Sequence, residues 1–484
     1  MARDRAADGA RSAETLTPDL CVIGAGSGGL SVAAGAAQMG AAVVLIEGGA
    51  MGGDCLNAGC VPSKALIAAA ARAHGMGAGG AFGVAPGRAE VDFGRVMAHV
   101  RETISGIAPH DSQERFEGLG VTVLRDWARF VSPREVVAGD RRVRPRRFVI
   151  ATGSRAVVPP IPGLAETPHL TNETLWDLKS LPERLLILGG GPIGMEMAQA
   201  FRRLGAAVVV LEAGRALGRE HPEAAAVVLD RLRGEGVDIR EGAAVSEAAA
   251  SDDGVTLTLE GGETVSGSHL LVAVGRRPDL ARLDPEAGDV ATDGKGVKVD
   301  AGLRSVSNRR VYAVGDAAGG PQFTHLAGYH AGVVIRSALF RLPAKARTDH
   351  IPRVTFTDPE LAAVGLSAEA AREAGRKVET ARFAYAENDR ARAERAAEGF
   401  AEVVIGRRGK VLGATVVGAR AGELIGVWAL AISAGLKVGD VAGMVAPYPT
   451  FGEVSKRAAG AHFAPKLFDN PLVKMAVRLL ARLG

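Results

Sequence analysis

The chain of 484 residues has little of several residue types that mark particular protein classes. It contains only three cysteines, Cys21, Cys55 and Cys60, which are too few for a secreted scaffold held by disulfides. Aromatic residues make up 4% of the sequence, so we do not expect a base-stacking surface for nucleic acid. The formal net charge of +4 is small for this length and does not indicate a polyanionic partner.

Long apolar runs are also missing from the sequence. Residues 1–18 mix charged residues with alanine and have no apolar core, so we interpret them as a flexible tail and not as a signal peptide. No uncharged run reaches the length that is needed to cross a bilayer. We therefore expect a cytoplasmic protein.

Two glycine-rich motifs each stand between an apolar strand and a helical stretch. The first motif is GAGSGG at 24–29, and the second is GGGPIG at 189–194. In such a motif the first glycine allows a tight turn, the second lets the backbone approach a pyrophosphate, and the third lets helix and strand pack closely. The sequence therefore predicts two dinucleotide-binding domains with phosphate contacts at Gly24, Gly26, Gly29, Gly189, Gly191 and Gly194.

An acidic residue ends the second strand of each of these units. Glu47 follows the first motif and Glu212 follows the second, at the position where a carboxylate binds the ribose hydroxyls. A glutamate at position 212 would repel a 2′-phosphate, which predicts a preference for NADH over NADPH. Arg215 and Arg219 lie just beyond it and would weaken that preference.

The cysteines at 55 and 60 lie in the stretch GGDCLNAGCVPSK, residues 52–64. An undistorted helix separates residues five apart by about 7.5 Å along its axis, whereas a disulfide needs Cα atoms about 4.4–6.8 Å apart. The chain must therefore bend between the cysteines, and Asn57 and Gly59 tolerate bending. Pro62 disfavours helical geometry at Val61. A helix beginning near Cys55 would favour the thiolate form of the sulfurs.

Three other interpretations of the cysteines fit less well. A structural disulfide does not suit a reducing compartment, and a zinc site would need two more ligands, none of which is close in sequence. Two unrelated thiols would not explain the glycine-rich frame. We therefore predict a redox-active pair and no metal site. Cys21 lies inside an apolar strand and is expected to pack as a small hydrophobic residue.

These motifs, together with VIATGS, GGGPIGMEMA, VGRRPD, VYAVGDAAG, FTDPE and PYPTFGE, resemble the class I pyridine nucleotide–disulfide oxidoreductases from about residue 17 to 465. The resemblance implies an α/β fold like that of glutathione reductase, with two Rossmann-like dinucleotide-binding domains and a C-terminal α+β dimerisation domain that forms a homodimer. The implied bounds are 19–156 and 278–345 for a discontinuous FAD-binding domain, 157–277 for an NAD(P)-binding domain, and 346–470 for the dimerisation domain.

The resemblance also implies roles for the residues of the electron path. Cys60 would be the thiolate beside the flavin, and Cys55 the thiol that meets the substrate. Lys64 would lie near flavin N5 and pair with Glu196. Electrons would pass from NADH to FAD, then to the cysteine pair and on to an acceptor, or in the reverse direction.

Other residues would contact the cofactors by the same resemblance. Asp316 would bind the FAD ribitol, and Glu47 the FAD adenosine ribose. Further cofactor contacts are implied at Lys64, Gly53, Thr152, Gly153 and Gly275.

The sequence departs from the family pattern at Tyr448. Lipoamide and glutathione enzymes carry a histidine there, followed by a glutamate that this chain retains as Glu453. Phenol titrates near pH 10 and imidazole near neutrality, so Tyr448 is a poor base at pH 7. Mercuric reductase also carries tyrosine, but it has a vicinal cysteine pair near its C-terminus, and this chain has no cysteine after Cys60. Tyr448 is either catalytic or a packed aromatic at the dimer interface.

The leading hypothesis is a homodimeric NADH-dependent reductase of a small disulfide, a quinone or a soft metal ion. One alternative is dihydrolipoamide dehydrogenase with tyrosine in place of the histidine. The others are a non-catalytic flavin redox sensor and a flavin transhydrogenase without thiol chemistry.

Two further features carry expectations of their own. His325 and His330, on a helix after the Asp316 motif, are expected to be packing residues or to lie beside the flavin, and not to act as ligands. Residues 471–484 are expected to form an amphipathic helix with basic residues on one face and an apolar face made of Leu472, Met475, Ala476, Leu479 and Leu483. Packing of that helix on its own domain is favoured over contact with a membrane surface.

Overall fold

The computed structural model of the protein describes residues 15–252 and 254–482, and the chain forms two compact units. One unit takes the chain through Pro62, together with His99–Ala156 and Arg276–Ala346. The other takes Ser63–Ala98, Val157–Gly275 and the chain from Arg347 onward. Three of these changes of unit lie close to the predicted borders at 157, 277 and 346, whereas those after Pro62 and Ala98 fall inside the segment predicted as one piece, 19–156. The assignment of these parts as cofactor and dimerisation domains stays a prediction.

The predicted flexible tail, residues 1–18, falls largely outside the described residues. Its described part is not all tail, because Thr15–Leu16 form a strand that runs parallel to Arg141–Val143. The backbone N–H of Arg144 also donates to the carbonyl of Leu16 at 2.8 Å. The expectation is therefore wrong for these residues, since paired backbone groups hold them in a sheet.

A five-stranded parallel sheet forms the centre of the first unit. Its strands lie in the order Val311–Ala313, Arg147–Ile150, Leu20–Ile23, Val43–Ile46 and Thr122–Leu124. The sequences LCVI and VVLI are apolar throughout because both faces of this sheet are covered, as is usual for parallel sheets.

Alternate residues of the strand Leu20–Ile23 enter two different cores. Leu20 and Val22 pack into one hydrophobic cluster, and Cys21 and Ile23 pack into the other. Cys21 is completely buried, which confirms its predicted packing role, and burial raises the pKa of its thiol.

The remaining elements of the first unit are further strands and helices. The strands are Ala128–Ser132, Glu135–Ala138, Ser154–Ala156, Arg276–Pro278, Thr292–Asp293 and Gly296–Val297, and the helices are Ser27–Gln38, Gly53–Asn57, Gln113–Gly118 and Thr324–Ala338. The helices Cys60–Gly77 and Phe93–Ile107 run from one unit into the other.

The second unit contains another parallel sheet of the same kind. Its four strands lie in the order Asp238–Glu241, Ala207–Glu212, Arg184–Leu188 and His269–Val272. Apolar residues of this sheet pack against a three-stranded antiparallel sheet in one hydrophobic cluster. The helices of this part are Pro192–Leu204 and Pro222–Gly234, and the antiparallel strands are Val245–Ser251, Gly254–Leu259 and Thr264–Gly267.

The C-terminal part of the second unit is an antiparallel sheet covered by helices, as the α+β prediction requires. Trp428 is fully buried in its core and donates its indole N–H to Ser455 Oγ at 3.1 Å. The strands, in sheet order, are Arg353–Thr355, Glu360–Gly365, Val411–Gly418, Phe400–Ile405 and Glu379–Ala384. The helices are Ala368–Glu373, Asp389–Ala393, Ala421–Ala434, Val438–Gly443, Glu453–Ala461, Ala464–Phe468 and Pro471–Leu480.

Candidate active site

The two glycine-rich loops have nearly the same geometry. Gly24 has φ +104° and Gly189 has φ +113°, both in the region that favours glycine. A Cβ atom added to Gly24 would lie 2.4 Å from the carbonyl oxygen of Ala151, and one added to Gly189 would lie 2.6 Å from that of Ala273. Each loop therefore crosses the end of its sheet too closely for any side chain at its first glycine.

The third glycine of each loop lets a helix start against the strand. A Cβ on Gly29 would lie 1.8 Å from Gly24 O, and one on Gly194 would lie 2.1 Å from Gly189 O. The helices Ser27–Gln38 and Pro192–Leu204 begin inside the two loops, after Gly26 and Gly191 in extended conformation. The N–H groups at such helix starts bind the negative charge of a pyrophosphate.

A glutamate holds each loop to the end of its second strand. Glu47 accepts the N–H of Ala25 with Oε2 and the N–H of Gly49 with Oε1, both at 2.6 Å. Glu212 makes the same bridge in the other unit, with N–H donors of Gly190 and Gly214 at 2.7 and 2.8 Å. Because each carboxylate oxygen has two lone pairs, both glutamates keep acceptor capacity for ribose hydroxyls.

Several residues of the first unit fit a bound flavin dinucleotide. Thr152 Oγ1 is buried and has no hydrogen-bond partner among the described residues, so a polar group of a ligand would satisfy it. Asp316 accepts from Ser154 Oγ at 2.6 Å, and burial raises the pKa of its carboxyl. Gly153 has φ +68° and follows Thr152 at the end of a central strand. These residues and the first glycine loop lie at the carboxyl ends of parallel strands, where dinucleotides bind in such sheets.

Gly53 lies where the cysteine segment passes the first glycine loop. A Cβ added to Gly53 would lie 2.7 Å from the Cα of Gly26, and the residue has φ +58°. Gly275, in the second unit, has φ +141° and open space around its Cα. Contact of either glycine with a cofactor remains a prediction.

The predicted bend between the cysteines is present. Cys55 lies in the short helix Gly53–Asn57, the chain leaves helical geometry at Ala58, and a second helix, Cys60–Gly77, begins at the other cysteine. Asn57 Nδ2 donates to the carbonyl of Gly53 at 2.8 Å and so holds the bend. Cys60 therefore occupies the first position of an 18-residue helix, where the helix dipole favours a thiolate.

The expectation that Pro62 would keep Val61 out of a helix is wrong. Val61 is helical because Pro62 lies in the first turn of the helix, where its missing N–H leaves no intrahelical hydrogen bond unmade.

The two thiols contact each other and two hydroxyl groups. Cys55 and Cys60 are free thiols in the structure and share a hydrogen bond. Cys60 Sγ lies 3.4 Å from Thr324 Oγ1, and Cys55 also hydrogen-bonds to Thr324 and Ser27. The bond to Cys60, together with partial burial, raises the pKa of Cys55. A raised pKa at Cys55 agrees with the implied role of Cys60 as the thiolate, and that role stays a prediction.

Sequence reasoning missed Ser27 and Thr324. Each is the first residue of a helix, Ser27–Gln38 and Thr324–Ala338, and each stands within or beside a motif that the sequence displays. Their hydroxyls were no signal by themselves, because the fold brings them to the sulfurs from distant parts of the chain.

An arginine connects the cysteine segment with Asp316. Arg276 Nη2 lies 3.1 Å from Asp54 Oδ1, next to Cys55 in sequence, and Arg276 Nε donates to Ser154 Oγ at 2.9 Å. Ser154 in turn donates to Asp316. The side chain of Arg276 thereby fixes Asp54 relative to the proposed flavin site, a role that sequence reasoning did not foresee.

Lys64 and Glu196 form an ion pair in the second unit. Lys64 Nζ lies 2.7 Å from Glu196 Oε2, and Glu196 Oε1 accepts the N–H of Phe356 at 3.0 Å. The Glu196 side chain is 7% exposed and that of Lys64 is 37% exposed. The pairing implied by the family resemblance is therefore present, while the placement of Lys64 near flavin N5 stays a prediction.

Tyr448 is 70% exposed within the single chain and donates its hydroxyl to Asp389 Oδ2 at 3.0 Å. This hydrogen bond and the charges of Asp389 and Glu453 raise the pKa of Tyr448, so the phenol stays protonated at neutral pH. Glu453 begins the helix Glu453–Ala461. Asp389 lies 59 residues before Tyr448, and nothing in the sequence indicated this contact.

The histidines after Asp316 differ in their surroundings. His330 is buried, its Nδ1 accepts the N–H of Gly315 at 3.2 Å, and burial lowers its pKa to about 4. His325 stacks on Phe323 with ring centroids 5.2 Å apart. Both therefore have packing contacts, as expected, and the described residues contain no cluster of three or more His, Cys, Asp or Glu that would hold a metal ion.

Two dinucleotide-binding units of this kind, with a dithiol beside one glycine loop, define the class of thiol oxidoreductases that use a flavin and a nicotinamide. Residues 18–331 match the family described as pyridine nucleotide-disulphide oxidoreductase, and residues 351–459 match the dimerisation domain of the same family. The chain belongs to this family of FAD-dependent enzymes, which confirms the predicted fold class and the resemblance.

Relatives of known activity include two kinds of enzyme. The chain is 35% identical to a mercuric reductase of Streptomyces lividans, over 91% of this chain and 95% of the relative. It is 34% identical to a dihydrolipoyl dehydrogenase of Geobacillus stearothermophilus, over 92% of this chain and 96% of the relative. Because two activities occur at nearly the same identity, these relatives support the family's chemistry and leave the acceptor open.

Solved structures of similar fold point to the same family. The HOCl-induced flavoprotein disulfide reductase RclA from Escherichia coli has a TM-score of 0.81 and 29% identity, covering 91% of this chain and 99% of that chain. LpdA from Mycobacterium tuberculosis has a TM-score of 0.84 and 25% identity, covering 92% of this chain and 99% of that chain.

Proposed function

We propose that the protein is a homodimeric NADH-dependent reductase that delivers electrons through Cys55 and Cys60 to a soft metal ion, a quinone or a small disulfide. The observation that supports this proposal most strongly is the dithiol, whose two sulfurs contact each other and the hydroxyl of Thr324. Among these acceptors a soft metal ion is favoured, because adjacent thiols are soft ligands and Tyr448 is no base at pH 7.

When bound, FAD supplies a two-electron relay between the nicotinamide and the cysteine pair. The glycine loop at Gly24 and the carboxylate of Glu47 would hold its pyrophosphate and adenosine ribose, and Asp316 its ribitol. Thr324 and the helix start at Cys60 stabilise the thiolate, while Cys55 retains its proton until it meets the acceptor. In turnover the dithiol gives two electrons to the acceptor, and its thiol proton passes to the acceptor or to solvent. A disulfide forms between the same two sulfurs.

The preference for NADH rests on Glu212. Its carboxylate is held by two backbone N–H donors at the end of its strand, where a ribose 2′-hydroxyl would bind. A 2′-phosphate at the same place would meet a negative charge that cannot move away.

Dihydrolipoamide dehydrogenase with a tyrosine in place of histidine is the second candidate, supported by the similarity to dihydrolipoyl dehydrogenases. Turnover of dihydrolipoamide separates the two. We expect slow turnover by the natural protein and at least about a hundredfold gain in Tyr448→His, since general acid–base catalysis contributes about 10²–10⁴-fold. Tyr448→Phe is the matched control that removes the hydroxyl without adding a base. Fast turnover by the natural protein would favour dihydrolipoamide dehydrogenase.

Two other functions make distinct predictions. A flavin redox sensor would not consume NADH continuously with artificial acceptors, whereas the proposed reductase does. A transhydrogenase without thiol chemistry would keep its activity in Cys55→Ser and Cys60→Ser, whereas the proposed reductase loses reduction of its metal or disulfide acceptor in either variant.

A further inference from the structure

The helix Pro471–Leu480 keeps its apolar side chains on the surface, and none of its residues is buried. Five of these side chains are each 60–67% exposed: Leu472, Met475, Val477, Leu479 and Leu480. The expectation that this helix packs on its own domain is therefore wrong within the described residues. Leu483, which the sequence placed on the same apolar face, lies outside them.

Charged and apolar residues of this helix are separated around its axis. Lys474 and Arg478 are four residues apart, so they form one basic stripe at 100° per residue, and Arg482 follows just beyond the end of the helix. The apolar residues between 472 and 480 occupy about 200° of the remaining circumference. No aspartate or glutamate occurs from residue 470 to 482.

The turn before this helix extends the apolar surface, and the helix that precedes the turn is attached to the antiparallel sheet. Phe468 is 70% exposed and Leu467 is 49% exposed. The preceding helix, Ala464–Phe468, is tied to the antiparallel sheet, because Lys466 Nζ lies 3.0 Å from Glu379 Oε2. The helix Pro471–Leu480 therefore follows a segment that is held to the sheet by this ion pair.

We propose that this terminal segment, residues 468–482, binds to the surface of a lipid bilayer with anionic headgroups. The basic stripe complements negative headgroups, and the wide apolar face with an aromatic residue at its start suits burial at the boundary between headgroups and acyl chains. The segment would lie in the membrane plane, and no described helix is long and apolar enough to cross it. A second copy of this chain complements the face less well, because it would bring a second basic stripe of the same sign.

Vesicle co-sedimentation of the full-length holoprotein tests this proposal. We expect binding to phosphatidylcholine vesicles that contain phosphatidylglycerol, weak binding to pure phosphatidylcholine, and release at high salt. Each basic residue near an anionic surface contributes about fivefold to partitioning, so Lys474→Gln with Arg478→Gln should weaken binding about 30-fold. Leu472→Gln with Leu479→Gln should abolish it.

Controls keep the outcome clear. Arg376→Gln with Lys377→Gln removes the same charge from another exposed site and should leave vesicle binding unchanged. NADH oxidation in buffer with an artificial acceptor should be equal in all variants, which shows that each is folded, and vesicle binding is measured without reference to the physiological acceptor. Absence of vesicle binding, or equal binding to neutral vesicles, would overturn the proposal. So would a Leu472→Gln, Leu479→Gln variant that changes oligomeric size without vesicles, since the face would then join copies of the chain.

Discussion

Replacing Thr324 by valine should raise the pKa of the Cys60 thiol. The Thr324 hydroxyl lies 3.4 Å from Cys60 Sγ and also hydrogen-bonds to Cys55, whereas valine has nearly the same shape and no donor. A hydrogen bond to a charged group contributes about 1.5–3 kcal/mol, and one pKa unit corresponds to about 1.4 kcal/mol. Because the Cys60 side chain is exposed and the contact is long, solvent replaces part of this bond. We therefore expect an increase of about 0.5 to 1 pH unit.

The assay is a pH titration of the long-wavelength band that a thiolate beside an oxidised flavin produces after two-electron reduction. Because the band requires the thiolate, it disappears as pH falls through the thiol pKa, and the midpoint should move to higher pH in Thr324→Val. Thr324→Ser keeps a hydroxyl and is the matched control, with a midpoint near that of the natural protein. A midpoint that is the same in all three proteins would refute the claim that the Thr324 hydroxyl stabilises the thiolate by a hydrogen bond.

Three further predictions concern the cofactor sites and the ion pair. Gly29→Ala should abolish FAD retention, because the added Cβ would lie 1.8 Å from a backbone oxygen. Gly194→Ala should retain FAD and lose NADH oxidation. Visible spectra and NADH kinetics distinguish the two variants, and identical losses in both would contradict two separate dinucleotide sites. Glu212→Gln should improve the ratio of kcat/KM for NADPH to that for NADH by about tenfold, as removal of one close charge repulsion predicts, and an unchanged ratio would contradict ribose recognition. Lys64→Met should lower the melting temperature more than Lys64→Met with Glu196→Gln, because the single change leaves the buried Glu196 carboxylate without its cation. Removing one partner of a fully buried pair costs about 3–5 kcal/mol, and we expect less here because the Lys64 side chain is 37% exposed. The opposite order would show that the unpaired carboxylate carries no such cost.

The sequence predicts the parts of this molecule that depend on neighbouring residues. The glycine loops, the glutamates at 47 and 212, and the bend between the cysteines all follow from local backbone chemistry. The bend could be placed at residues 57–59 because a disulfide and a straight helix are geometrically incompatible at that spacing.

The contacts that were missed join residues far apart in sequence. Thr324 reaches Cys60 across 264 positions and Tyr448 reaches Asp389 across 59, and no local pattern marks either pair. Helix starts were also misjudged where a proline stands in the first turn, as at Pro62, because the rule that excludes helix before proline is relaxed there.

Electron exchange between the cysteine pair and a flavin is the central step of the proposed function. Anaerobic titration of the FAD-loaded protein with dithionite tests this directly. The natural protein should take up twice as many electrons per bound FAD as the Cys55→Ser, Cys60→Ser variant, because the disulfide is a second two-electron acceptor. Equal uptake by the two proteins, with no thiolate band at half reduction, would contradict it.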